Sequence, residues 1–233
     1  HGLVTGVQTC ALPILEPSDR AHFRMRYYNS DGSEGETCGN GSRCIARFAH
    51  ELGIAPATMR FDTMAGPYAA EILGDEVVVD MTDAHGLRTG IRIDGPPFSG
   101  EVAFINTGVP HVVVMVDDTD TTDVVGIGRH LRRHPLFQPA GANVNFIRPT
   151  DRGGIVIRTY ERGVEDETLA CGTGSIASAI VAARAGLAET PTRLHTRGGE
   201  VLTIHFTPTD DGATNVRLQG GARVVFRGVM VEP

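Results

Sequence analysis

The chain has 233 residues, 41% of them hydrophobic and 21% charged with the signs mixed, and a net charge of −7. That is enough apolar material for one large domain or two small ones, and the charge balance argues against disorder, nucleic acid and anionic membrane surfaces as partners. Cys10, Cys38, Cys44 and Cys171 are too sparse for a disulfide scaffold, no CxxC pair marks a zinc site, and no apolar run nears the ~20 residues of a membrane span.

The first fourteen residues, HGLVTGVQTCALPI, begin without Met and lack a basic n-region, so a signal peptide reads poorly. VTGVQTCALPI resembles translated sequencing-adaptor read-through, so residues 1–14 are expected to be foreign and Cys10 to carry no function. The alternative is an ordinary N-terminal strand. From Leu15 onward the chain reads as the interior of a folded protein.

A Gly-rich turn, ETCGNGS, then opens a helix through ARFAHEL, with Gly53 placed to end it as a left-handed C′ residue. TMRFDTM and EVVVDM read as strands, followed by EVAFINT, HVVVMVDD, ANVNFIRP and GGIVIRTYE. A second turn, ACGTGS, opens a helix through SIASAIVAARAGL, closed by Gly186. TRLHTR, EVLTIHF, TNVRLQG and ARVVFRGVMV complete the strand candidates. Many strands with one clear helix per half predict an α+β fold, a helix packed against or wrapped by a curved sheet.

The two turns are copies. A shift of 133 positions superposes Cys38 on Cys171, Gly39 on Gly172, Gly41 on Gly174 and Ser42 on Ser175. It continues without a gap to Gly66 and Gly199, with eleven identities over 29 positions where chance gives about two. One period of this length means two similar halves. Roughly sixty residues separate His111 from Cys171, but only 37 precede Cys38. If the halves are duplicates, the first copy is expected to lack strands at its start.

A thiol at the first turn of a helix sits among unpaired N–H groups in a positive partial field, which eases ionisation. The glycines let the same amides approach a carboxylate. One such motif is weak, since a lone cysteine before a helix is more often core packing. Two copies suit inversion at a carbon. One thiolate removes a proton from one face while the other thiol delivers one to the opposite face. A Cys–His hydrolase needs only one cysteine. A Cys38–Cys171 disulfide would be an oxidised, inactive form. Cys44, opposite Ala177, reads as buried structure pointing elsewhere.

YNSDGSEGETCGNGSRCIARF and YERGVEDETLACGTGSIASA, with INTGVPHVVV, GANVNFI and GARVVFRG, resemble the diaminopimelate epimerase family of PLP-independent, two-cysteine epimerases. The resemblance runs from about Leu15 to the C-terminus. Proline and hydroxyproline racemases resemble it in plan but usually carry His where Asn40 stands.

The resemblance implies two similar domains related by a pseudo-two-fold axis, each a curved, mostly antiparallel sheet around a central helix. The first would comprise residues 1–82 completed by 222–233, the second 83–221. It implies conversion of LL-diaminopimelate to the meso form, a step toward lysine and peptidoglycan, in a bacterial cytoplasm. A small amino-acid substrate is the expected partner, without metal, cofactor, nucleic acid or membrane. The family often forms dimers, so a homodimer is expected. Cys38 and Cys171 match the catalytic thiols, with Cys38 donating and Cys171 accepting the proton in the forward direction. His111 and Glu161 match groups acting beside them. Asn29, Gly39, Asn40, Asn143, Glu161, Arg162, Gly172 and Thr173 match substrate-binding positions.

Three features depart from the family pattern. Val109 stands where many members carry Asn, leaving Asn106 as a candidate substitute. ERGVEDETLACG is two residues longer than the commoner form. The family's N-terminal segment, which bears a substrate-binding Asn, is expected to be missing ahead of Leu15. Amino-acid racemases of other specificity, and a non-catalytic relative that keeps the anion-cradling loops, are the competing readings.

Overall fold

The computed structural model describes residues 12–28, 32–35, 38–151 and 153–224. Cys10, Asn29 and most of ARVVFRGVMV lie outside the described residues. The chain divides into two compact units. One runs to Met81 and resumes at Gln219; the other is Thr82–Leu218.

In the first unit, β1 (Leu12–Glu16) pairs antiparallel with β2 (Phe23–Tyr28). Leu12, Pro13 and Ile14 face Tyr28, Tyr27 and Arg26 in register. Helix α1 (Gly39–Glu51) follows, then β3 (Thr58–Thr63), β4 (Gly66–Leu73) and β5 (Glu76–Asp80), in strand order β1-β2-β3-β4-β5. Alternation buries Phe23 and Met25 of β2, Met59 and Phe61 of β3, and Tyr68 and Ala70 of β4. The Phe23 and Phe61 rings stack at 4.9 Å. α1 presents Ile45, Ala46 and Ala49 to this face, packing on β1, β2, β4 and β5.

The second unit contains β6 (His85–Ile93), β7 (Gly100–Asn106), β8 (Pro110–Met115), α2 (Val124–Arg132), β9 (Asn143–Pro149) and β10 (Ile155–Glu161). There follow β11 (Asp166–Thr168), α3 (Gly172–Arg184), β12 (Thr192–His195), β13 (Val201–Pro208) and β14 (Ala213–Gly221). The strand order is β14-β13-β12-β10-β9-β8-β7-β6, with β11 on β10. α3 is buried at every residue from Gly172 to Ala182 and packs on β7, β8, β9, β10, β12 and β13. It is therefore a core helix with apolar or small residues on all sides. The fold class is α+β, two like units each with a mixed sheet and a helix at its centre.

The duplication extends beyond the matched letters. β2 and β3 pair parallel around α1, with Phe23 opposite Phe61. β10 and β12 pair parallel around α3, with Ile155 opposite Leu194. Both helices end where expected, with Gly53 at φ +70° and Gly186 at φ +71°. α2 has no counterpart among the described residues of the first unit. Asp123 caps it, and Gly128 lies against the Tyr160 ring, where a Cβ would overlap the ring.

The end of β14 returns the chain to the first unit. Gln219 Nε2 donates to Glu76 at 2.6 Å, and Ala222 N–H donates to the Asp75 carbonyl. From α1, Arg47 Nε donates to the Ala222 carbonyl at 3.1 Å and its Nη2 to the Gly74 carbonyl at 2.6 Å. Buried Arg43 donates to the Gly221 carbonyl and to Asn40 Oδ1.

Candidate active site

Each copied cysteine is the N-cap residue of its helix. Cys38 is extended (φ −148°, ψ 104°) and its Sγ accepts the Gly41 N–H at 3.3 Å. Cys171 repeats this in the second unit (φ −129°, ψ 112°), accepting the Gly174 N–H at 3.4 Å, with Thr173 Oγ1 at 3.5 Å. Sulfur stands where Ser, Thr or Asp usually caps. An N–H donor and the positive helix end both favour sulfur as the anion. Gly39 and Asn40, and Gly172 and Thr173, supply the remaining first-turn amides. Cys38 is part-buried and Cys171 buried. Cys44, expected to be buried, is only half-buried.

The approach to each thiol is braced in the same way. Arg26 grips Glu34 with two hydrogen bonds, Nε–Oε1 at 3.0 Å and Nη2–Oε2 at 2.9 Å. Arg158 grips Glu167 likewise, both at 2.6 Å. Each glutamate lies four residues before its cysteine, and each arginine lies two residues before a tyrosine, Tyr28 or Tyr160. A bidentate pair fixes direction as well as distance. One clamp ties β2 to Glu34 and the other ties β10 to β11, in each unit just ahead of the cysteine.

The second unit gathers most of the other expected residues. His111 on β8 lies beside Asn143 on β9 in parallel register. Asn143 Oδ1 accepts the Arg162 backbone N–H at 2.8 Å, and its Nδ2 donates to the Pro110 carbonyl at 3.3 Å. Asn143 thus ties the start of β8 to the turn after β10. Arg162 Nη1 donates to the Ala140 carbonyl at 2.9 Å. Glu161 ends β10, and burial pushes its carboxyl pKa up. His111 is fully buried; burial, with the positive Arg162 nearby, lowers its pKa to about 3. The ring is therefore neutral at physiological pH.

The lengthened loop before Cys171 is a turn held to α2. Glu165, at φ 59°, accepts from Arg132 Nε at 2.8 Å, from Gly163 N–H at 3.2 Å and from Tyr160 Oη at 3.2 Å. Asn106, offered as a substitute for Val109, uses its Oδ1 to accept the Gly108 N–H at 2.9 Å in the β7–β8 turn. Asn29 falls outside the described residues.

Two features escape sequence reading. The clamp arginines lie upstream of the identities that mark the repeat. Asn145, two residues past Asn143, is fully buried and hydrogen-bonded to His111, Val112 and Thr159. A Cβ on Gly174 would overlap Asn145 Oδ1, so this side chain reaches the first turn of the Cys171 helix.

A family model described as diaminopimelate epimerase matches residues 4–86 and 103–225. A diaminopimelate epimerase of Aquifex aeolicus is 45% identical over 234 residues, covering 98% of this chain and 82% of that protein. One from Chlorobaculum tepidum is 40% identical, covering 97% and 87%. Among solved structures, a probable proline racemase from Agrobacterium radiobacter K84 has a TM-score of 0.74 at 17% identity, covering 96% of this chain and 76% of that one. At that identity the likeness is one of fold.

Proposed function

The chain belongs to the diaminopimelate epimerase family, and from that premise we propose that it epimerises LL-diaminopimelate to the meso form with two thiols. It is an isomerase. The observation that carries the mechanism is the repeated cap: two cysteines, Cys38 and Cys171, each at a helix start with an N–H aimed at sulfur.

In the proposed reaction Cys171 Sγ, as thiolate, takes the Cα proton, and the Cys38 thiol returns a proton to the opposite face. The carbon is inverted, and the thiols exchange protonation states. The reverse reaction swaps their roles, so no external oxidant or cofactor enters the balance. Charge that builds on the substrate carboxylate as the proton leaves is stabilised by the first-turn amides of Gly39, Asn40, Gly172 and Thr173. Arg162 binds a substrate carboxylate, and Asn29, Asn143 and Glu161 bind its polar ends.

The product feeds lysine and peptidoglycan synthesis in a bacterial cytoplasm, and a homodimer is the proposed assembly. Among the described residues no helix is long and apolar enough to cross a membrane.

The test is Cα proton–deuterium exchange on LL-diaminopimelate in heavy water, with L-proline alongside. Exchange with diaminopimelate and none with proline is expected. Cys38→Ser and Cys171→Ser should each lower kcat by at least about 100-fold. Exchange with proline alone, or an unchanged rate in either variant, refutes the reading.

A further inference from the structure

The orientation of the Asn145 carboxamide is fixed by its neighbours. One of its terminal atoms lies 3.1 Å from the Val112 carbonyl oxygen, which can only accept. That atom is therefore the nitrogen, Nδ2. The other terminal atom, Oδ1, accepts from Thr159 Oγ1 at 2.9 Å. Nδ2 has two hydrogens. One goes to Val112, and the second meets His111 Nδ1 at 3.1 Å. His111 Nδ1 must then be the acceptor, and in a neutral ring the proton sits on Nε2.

We infer that Asn145 is a positioning residue that locks the buried His111 ring as the Nε2–H tautomer, so that it offers a donor, not a base, to the Cys171 half of the site. Two further observations agree. His111 Nε2 is buried and meets no acceptor among the described residues, which leaves its N–H for an incoming anionic group. Asn145 also abuts Gly174, whose N–H is bonded to Cys171 Sγ, so the lock and the thiol cap share one turn of chain. A neutral imidazole donating through Nε2–H can stabilise charge forming on a thiolate or a substrate carboxylate oxygen without itself giving up the proton. It cannot, in this resting form, take the proton of Cys171 through Nε2.

The catalytic part of this inference rests on the proposed epimerase reading; the tautomer does not. The experiment is nitrogen NMR of protein labelled with 15N-histidine, with His111→Gln used to assign the ring signals. At neutral pH the intact protein should show Nε2 as the protonated nitrogen and Nδ1 as the bare one. A proton on Nδ1 overturns the inference whatever the enzyme's substrate. Asn145→Asp keeps the shape but replaces the donor with an acceptor. It should move a proton onto Nδ1 and lower kcat for diaminopimelate epimerisation by roughly 10- to 100-fold, as outer partners that orient an imidazole do, with KM nearly unchanged. A tautomer that moves while kcat holds overturns the catalytic part. Should Asn145→Asp fail to fold, the spectrum of the intact protein decides the lock.

Discussion

Gly41 and Gly174 hold the same place in the two copied turns, three residues after each thiol, yet alanine should act differently at each. A Cβ on Gly174 would overlap Asn145 Oδ1 and lie 3.2 Å from Cys171 Sγ. Asn145 is fully buried and has three hydrogen bonds to lose if it moves. Breaking two of them, at about 1 kcal/mol each, or enduring the overlap at about 1–3 kcal/mol, outweighs a helix-propensity gain of at most about 1 kcal/mol. The net is about 1–2 kcal/mol against the second unit. A Cβ on Gly41 would lie 3.3 Å from Cys38 Sγ and 3.4 Å from its Cβ, with Tyr27 at an ordinary contact distance of 3.9 Å. The part-buried Cys38 side chain can give, so Gly41→Ala should be close to neutral. Native-state hydrogen exchange read peptide by peptide separates the cases. Gly174→Ala should speed exchange in β9 and α3 by about 5- to 30-fold, while Gly41→Ala leaves α1 and β3 near the unmodified rate. Equal effects in the two variants, or none at Gly174, would show that Asn145 is not seated as described.

Acid should weaken the fold through His111. Its folded-state pKa of about 3 lies below the unfolded value, so between about pH 6.5 and 3 the unfolded chain binds a proton that the native ring refuses. Stability therefore falls with pH across that window, by up to about 1.4 kcal/mol per pH unit, and urea midpoints of His111→Gln should show a shallower slope there. Glu161 acts oppositely: its raised carboxyl costs stability as pH climbs through the unfolded value, so Glu161→Gln should raise the neutral-pH midpoint while abolishing whatever catalysis needs the charge. Removing Glu165, which holds the turn carrying Arg162, should raise KM for diaminopimelate with kcat little changed; an unchanged KM would detach that turn from substrate binding. Arg47→Ala should cost about 1 kcal/mol and speed amide exchange at Gln219–Ala222, while leaving β9 and β10 untouched.

Much of this architecture is legible in the letters because local rules and packing agree. The glycines after each cysteine, the apolar periodicity of ARFAHEL and SIASAIVAARAGL, and the terminal Gly53 and Gly186 all point to one helix per copy, and α1 and α3 are those helices. α2 is hidden because VVGIGRHLR carries two glycines; it is held by Asp123 and by packing on Tyr160, which periodicity does not reveal. β6 is hidden for a related reason, as most of its side chains are exposed and its register slips twice against β7. The clamps are concealed by arithmetic. Glu34 and Glu167 obey the shift of 133, but Arg26 and Arg158 differ by 132, so a gapless comparison loses them. The Asn145–His111 contact spans 34 residues and exists only because β8 and β9 run parallel.

The return of β14 to the first unit also sets a schedule for the newborn chain. Arg43 and Arg47 leave the ribosome early, but their partners Gly221 and Ala222 follow 178 and 175 residues later. At 5–20 residues per second that delay is about 10–35 s. Throughout it, the outer edge of β5 and the guanidinium groups of α1 stand without the strand that covers them, which is the condition in which sheet edges recruit the wrong neighbour. A break in the chain before Gly221 would thus strike a helix whose own sequence is untouched, because Arg43 and Arg47 would lose carbonyl partners encoded 175 or more residues downstream.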